Sequence, residues 1–361
     1  MKGDFVSKTA IALLSAMLLC GCVSLGPKTV VNDRLDYIQE ISESWKKQML
    51  FNIVKMRYLD PPTFLDVTSL ISQYGIEQQV NASANTGFTW PQSPTSPYGF
   101  GGMLGGHQRY VDKPTISYAP LTGQKFTKNL LTPIPPAAVI NMIQSGWPID
   151  RIFSFTVKSI NGVRNTSRMQ ASLNEGADFE RLLKAMRSIQ SAGASDIRVE
   201  KAGERDAVIF VISDEARKEE FRENAGAVRE ILGLKPGVKK YTVVEGKIPG
   251  NDEEIALATR SMLEIMLEIA AAIEVPPQHV KEGRTMPTPS VAASENLFSV
   301  KIRSSRQKPS DIFTAIQYRD YWFWVDDKDI ASKRNFTLMM IFLSLTETDQ
   351  KLAAPLLTIS N

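Results

Sequence analysis

Residues 152–160, IFSFTVKSI, open the stretch whose reading decides the fold. They read as a strand. FERLLKAMRSI at 179–189 then reads as a helix, and IRVE at 197–200 and VIFVI at 208–212 as two further strands. EARKEEFRENAGAVREIL at 215–232 is a charged amphipathic helix ending at Gly233, since glycine favours the position just past a helix end. The order is β-α-β-β-α.

Toward the C-terminus the same order returns without residue-level identity. Tyr241–Val244 reads as a strand and Met262–Ile273 as a helix stopped by Pro276-Pro277. Phe298–Ile302 and Ala315–Val325 read as strands, Lys333–Leu345 as an apolar helix and Leu356–Ile359 as a closing strand, with Gly283–Pro289 a turn-rich linker. The run Phe336–Leu345 is too short to span a bilayer, which takes about 20 residues, so it is expected as a core helix.

Toward the N-terminus, Asp33 reads as a helix cap, and Leu35, Ile38, Ile41, Trp45, Met49, Ile53 and Met56 follow at helical spacing. Asp60-Pro61-Pro62 must end that helix. Phe64–Ile76 reads as extended or mixed, Thr115–Tyr118 as a strand, and Pro135-Pro136 opens a helix through Val139, Ile140 and Ile143 that stops at Gly146. Between them, residues 85–110 hold three prolines followed by five glycines and read as one long loop. Trp90, Tyr98, Phe100, Met103 and Leu104 give that loop an adhesive character and make it a candidate partner contact.

The fold class expected is therefore α+β, with mostly antiparallel sheets and helices packed on them. Two β-α-β-β-α-like units, 149–235 and 236–361, stand behind an N-terminal helix and loop-rich region at 33–148.

The first residues carry a different message. Lys2 and Lys8 precede an apolar run from Thr9 to Leu19, the length of a signal-peptide core. Leu19-Cys20-Gly21-Cys22 resembles the bacterial lipobox. That resemblance implies cleavage after Gly21, a diacylglycerol thioether on Cys22 and an acylated amino terminus. Residues 1–21 would then be a signal peptide and 22–32 a lipidated polar tether. Val23 follows the cysteine where an inner-membrane retention signal would place Asp, which favours the outer membrane, facing the periplasm.

Removing that segment takes the formal charge from +3 to +2, since it carries two lysines and one aspartate. Near-neutrality without a basic stripe argues against nucleic acid. With Cys20 removed and Cys22 acylated, the chain's two cysteines are used up. Thiol nucleophiles, disulfides and thiolate metal sites are excluded, and 43% hydrophobic residues must build an ordinary core.

Motifs for chemistry are sparse. His107 and His279 are far apart and lack ligand-spaced partners, so no metal or cofactor is expected. The matches Ser44–Lys47 and Ser305–Lys308 to S-x-x-K lack the accompanying K-T-G. Glu264 and Glu268, preceded by Arg260, read as a solvated, charge-laced helix face rather than a catalytic carboxylate pair. Tyr318, Asp320, Trp322 and Trp324 would share one face of a central strand, and Arg319, Tyr321, Phe323 and Val325 the other. Asp326, Asp327 and Asp329 after it read as a turn and helix cap in preference to a cation site. No catalytic residue is assigned.

Five stretches resemble a family of uncharacterised bacterial lipoproteins: RYLDPPTFLDV at 57–67, SGWPID at 145–150, SINGVRN at 159–165, VPPQH at 275–279 and YWFWVDD at 321–327. The resemblance implies an envelope lipoprotein and brings no activity with it. The β-α-β-β-α order is similar to the ring-building modules of bacterial secretion assemblies. Together these give the expectation of a non-enzymatic scaffold, assembly or protein-binding lipoprotein, as a homo-oligomer or with a protein partner. The alternatives are a cell-envelope glycan or peptide hydrolase, and a lipid- or small-ligand-binding lipoprotein.

Overall fold

Pro61 and Pro62 end the first helix as their missing N–H groups require. Helix α1 spans Gly26–Arg57, and Leu59 turns the chain out of it in the left-handed region at φ 62°. Pro27 fits its first turn, where the amide has no partner to lose. The expected tether 22–32 is thereby shortened, since residues from Gly26 are helical and Asp33 lies inside the helix. The computed structural model describes residues 26–71, 74–85, 101–112, 115–165, 176–193, 195–202, 205–212, 219–289 and 299–346. It is a mixed α+β structure rich in antiparallel pairing. The chain divides into two units, residues 1–62 with 128–361, and residues 63–127.

In the smaller unit, β1 (Phe64–Ile71) pairs antiparallel with β4 (Thr115–Leu121), and β2 (Tyr74–Asn85) with β3 (Gly101–Asp112). Residues 101–110 are therefore strand and not loop, against the expectation for 85–110. Met103 lies opposite Ser83 and Leu104 opposite Ala82. Glycine weakens a strand without forbidding one, so counting glycines as breakers misled here. Trp90, Tyr98 and Phe100 lie outside the described residues. Helix α2 (Gly123–Leu131) was not foreseen.

The larger unit carries a six-stranded sheet of order β6-β5-β10-β9-β8-β7. Its strands are β5 (Val157–Ile160), β6 (Val163–Arg164), β7 (Ser195–Ala202), β8 (Arg205–Ile212), β9 (Lys240–Glu245) and β10 (Glu254–Thr259). Only β9 and β10 are parallel. The return through residues 246–253 is short because β9 is short, and roughly 3.3 Å per extended residue suffices to retrace it. Strands from both sides of position 235 thus share one sheet, and the expected second unit does not repeat the first. The expected strand 152–160 is also half helix. Pro148 presets φ at −62°, Asp150 sits in the first turn, and α4 runs Ile149–Thr156 before β5 begins. Nearly every residue of α4 is buried, Ser154 and Thr156 among them, and a run this short and this enclosed is not told from a strand by its period alone.

Helices α3 (Pro136–Gln144), α5 (Ala177–Ser191) and α6 (Glu219–Leu232) cover this sheet, with α5 against α6 and α3 against β7, β8 and β9. Leu182, Leu183, Met186, Ile189, Val228 and Phe210 fill the layer between them. Helix α7 (Met262–Ala271) packs against α1, the short α8 (Pro277–Lys281) follows Pro276, and α9 (Ile330–Thr346) closes the described chain. Leu356–Ile359 lies outside the described residues. No helix among the described residues is long and apolar enough to cross a membrane.

A second sheet of order β11-β13-β12 joins Arg303–Ser305, Tyr321–Asp326 and Ile312–Tyr318. The expected strand Phe298–Ile302 is replaced by β11, which starts after it. The expected strand 315–325 is a hairpin. Arg319 and Asp320 turn it with φ 48° and 67°, a two-residue loop with both central φ values positive, as in a type I′ turn. The pair lacks the glycine that normally announces this turn. Strand β13 is central, as expected for the aromatic run, but Tyr318 falls opposite Tyr321 and so joins the face of Tyr321, Phe323 and Val325.

Candidate functional site

Three turns meet at one end of the larger unit, and each is set by local sequence. The end of α1 presents Arg57, Tyr58 and Asp60. Pro276-Pro277 starts α8 and places Gln278 and His279 in its single turn. The β12–β13 turn presents Tyr318, Arg319 and Tyr321.

Tyr58 Oη and His279 Nδ1 share a 2.7 Å hydrogen bond. Both side chains are buried, His279 with 3% of its surface left. The Tyr321 ring meets the imidazole edge-on at 4.8 Å, and Tyr58 lies 5.3 Å from the Tyr318 ring and 6.1 Å from Phe323. Above this stack the Arg319 guanidinium sits 5.0 Å from the Tyr58 ring and 5.4 Å from that of Tyr318. Asp60 accepts from Tyr318 Oη and, at 3.1 Å, from Arg319. On the outer side Arg306 donates to Tyr321 Oη at 3.0 Å and to Gln278 Oε1 at 2.6 Å.

The electrostatics follow from burial and these partners. Burial pushes the Tyr58 hydroxyl up to about 12, with Arg319 and Arg57 pulling the other way. Burial, then the charge on Arg284, holds His279 below its usual value and hence neutral. The Tyr318 hydrogen bond, reinforced by Arg319, holds the Asp60 carboxyl below the usual carboxylate range. A buried neutral imidazole whose Nδ1 is engaged by a phenol is a structural clamp.

A second feature is an open groove of about 380 Å³ where β10 runs into α7. Leu131, Pro133, Leu263 and Leu267 line it, with Lys158 and Glu264 ion-paired at its edge. Here the sequence expectation is corrected. Glu264 is half-exposed but committed: it accepts from the Ser261 N–H while Ser261 Oγ accepts from its own N–H, a capping box that opens α7. Although burial pushes the other way, Lys158 and the Ser261 N–H hold its carboxyl below the usual range. Arg260 is buried and not solvated like a surface residue. With 6% of its surface left, it points its guanidinium at the carbonyls of Ser154, Phe155 and Asn165 at 3.3–3.5 Å. It thereby places a cation at the negative end of α4.

The sequence-singled residues fare unequally. Met103, Leu104 and His107 lie in β3, while Cys22, Trp90, Tyr98 and Phe100 are outside the described residues. Asp329 caps α9 by accepting from the Ser332 N–H at 3.0 Å, Asp326 pairs with Arg303 and Asp327 with Lys333. Ser44 sits on α1, and Ser305 donates to the Gln307 carbonyl. The residues that sequence reading missed are Tyr58, Arg306 and Gln278, Arg319 lies in a turn and not on the expected strand face, and the partner of His279 stands 221 positions away from it.

By its fold the chain belongs to the mixed α+β class. Comparison with protein-family models, with curated proteins and with solved structures returned no match.

Proposed function

We propose that the chain is a lipoprotein anchored through Cys22 to the periplasmic side of a bacterial envelope membrane, where it serves as a non-enzymatic scaffold or protein-binding component. The observation that carries this reading is the continuity between the anchor motif and the fold. Four residues after Cys22 begins a 32-residue helix, roughly 48 Å long at 1.5 Å per residue. Its last turns, from Met49 to Met56, lie in the core, while Leu35 and Ile38 near its start keep 61% and 54% of their surface exposed. A rod of this kind supports holding a body at a fixed stand-off. A freely diffusing catalyst would have no use for that constraint. Tyr58 and His279 add to the reading, because they spend a buried histidine on joining helix to body.

A small-ligand function is the second reading, and the groove at Leu263 and Leu267 favours it. Its volume falls within the range of ligand pockets.

Mass spectrometry of the protein extracted from membranes tests the anchor. The expected N-terminal peptide begins at Cys22 and carries three acyl chains, and cross-linking of the same membranes yields discrete higher-mass species. An unmodified N-terminus would overturn the anchoring, and lipidated monomer alone would overturn the scaffold role.

A further inference from the structure

In the smaller unit, β2 and β3 pair in unbroken register from Tyr74 with Asp112 to Asn85 with Gly101. Their sheet has two strands, so among the described residues each strand keeps one edge without a strand beside it. No other described element of the smaller unit packs substantially on the pair. A two-stranded ribbon alone is at best marginally stable in water, and open edges are templates for further strands.

Alternate residues of a strand change face, and opposed residues of an antiparallel pair share one. Taken from Tyr74, β2 places Y-I-Q-V-A-A on one face and G-E-Q-N-S-N on the other. Taken backwards from Asp112, β3 adds D-Y-Q-G-L-G to the first face and V-R-H-G-M-G to the second. Apart from Gln78 opposite Gln108, and Asp112 at one end, the first face is apolar or glycine. The second holds Glu77, Arg109, His107, Asn81 and Asn85. Alternation of this kind over about ten residues is the mark of a strand that crosses a membrane within a barrel. The length agrees. Strands of 12 residues at about 3.3 Å each, tilted by about 40°, rise about 30 Å, the thickness of a hydrocarbon core.

The free edges decide the partner. Backbone groups in hydrocarbon must all be paired, so a closed barrel can enter it and an open ribbon cannot. Glu77 is the single charge of β2, and Arg109 stands opposite it on β3. The same antiparallel pairing repeated between copies sets Arg109 beside Glu77 of the next copy, or one diagonal step away once strands stagger. Two-fold pairing of like strands would leave β2 against β2, whose only charges are Glu77 and its copy. A β2-to-β3 contact is head-to-tail, the kind that closes into a ring.

We infer that the ribbon is one share of a β-barrel closed by several copies of this chain, its apolar face toward acyl chains and its polar face lining a water-filled channel. Membrane barrels have about eight strands or more, hence about four copies or more. The anchoring proposed above is what brings the ribbon to a bilayer, and the inference rests on it to that extent.

The test takes the mature chain purified in detergent and reconstitutes it by dialysis into phosphatidylethanolamine–phosphatidylglycerol vesicles holding carboxyfluorescein and a large labelled dextran. Release of the dye with retention of the dextran is expected, together with discrete oligomers on native gels. V80K/A82K puts two charges on the lipid face and cuts release about tenfold or more. Q79K/N81K puts the same charges on the channel face and leaves release within about twofold of wild type. Melting curves in detergent report whether each variant keeps its fold. The inference is overturned if the wild type releases nothing, if the dextran escapes with the dye, or if the two lysine pairs act alike. Oligomers found free of the vesicles overturn it equally. Dialysis needs no lipid on Cys22, whose presence the N-terminal mass reports, so failure of the anchoring and failure of the barrel are told apart.

Discussion

Tyr58→Phe removes one oxygen and keeps the ring, which isolates the contribution of a single hydrogen bond. The 2.7 Å contact to His279 Nδ1 is buried on both sides. The substitution leaves that nitrogen without a partner in a place water does not reach. Leaving a buried polar atom unsatisfied costs about 1–3 kcal/mol. The ring contacts to Tyr318, Phe323 and His279 survive, so no cavity cost is added. The expected loss is therefore about 1–3 kcal/mol, below the roughly 3–5 kcal/mol of a buried aromatic-to-Ala truncation with its cavity. Urea unfolding followed by circular dichroism gives the difference through the midpoint, with the slope unchanged. H279Q and the double variant complete a cycle, in which the two single effects should fall short of additivity by about 1 kcal/mol. A Tyr58→Phe protein within about 0.5 kcal/mol of wild type, or fully additive single changes, would refute the idea that this bond clasps helix to body.

Stability should rise with pH through the region where His279 titrates. Its folded value is depressed by burial and Arg284, so its contribution is complete above the unfolded value of about 6.5 and is lost as pH falls toward the lower folded value, at no more than about 1.4 kcal/mol per pH unit. Urea midpoints at pH 7.5 and 5.5 check this, and H279Q should flatten the difference. Ser261→Ala removes half of the capping box on α7 and should cost about 1 kcal/mol, measured by the same unfolding curves. Arg260→Met retains the buried volume but withdraws the cation from the Ser154 and Phe155 carbonyls. An expected loss of about 1–3 kcal/mol follows, and a more stable Met variant would mean that desolvating the guanidinium outweighs its hydrogen bonds.

How much of this fold was legible depended on whether each segment had one solvent-facing side. Residues 177–191 and 219–232 have one, and their helices were read within a few residues. Residues 149–156 leave only Asp150 and Arg151 partly exposed, because α4 is enclosed on nearly every side. Its pattern was consequently mistaken for the strand that follows it. Strand β10 went unread for a related reason: EIALAT is central in its sheet and nearly all buried, so no alternation marks it. Asn161-Gly162, with φ 46° and 83°, carries the strongest short-range hairpin signal there is, and it does turn β5 into β6. Arg319-Asp320 turns β12 into β13 without any such signal, and there two strands were read as one.

The clamp was illegible for a reason no closer reading of local pattern removes. His279 was conspicuous as one of two histidines, but an isolated histidine is informative only through its partner, and Tyr58 is brought to it by the fold across 221 positions. What local sequence does specify is the set of stops: Pro61-Pro62, Pro276-Pro277 and a two-residue turn. Each ends an element just where an aromatic or polar side chain must be delivered. Prolines remove donors and fix φ, so they bring chain segments to rest at defined positions without specifying what those segments touch. The same holds for the outer Trp322–Trp324 face. Its composition was visible as YWFWVDD, but which tryptophan neighbours which cation follows from the pairing of β11 with β13, Arg303 opposite Trp324 and Ser305 opposite Trp322. A sheet register, once fixed, decides which residues of a basic octapeptide, KIRSSRQK at 301–308, share a face with the tryptophans and which lie on the other side with Tyr321, and that decision is where the sequence alone runs out.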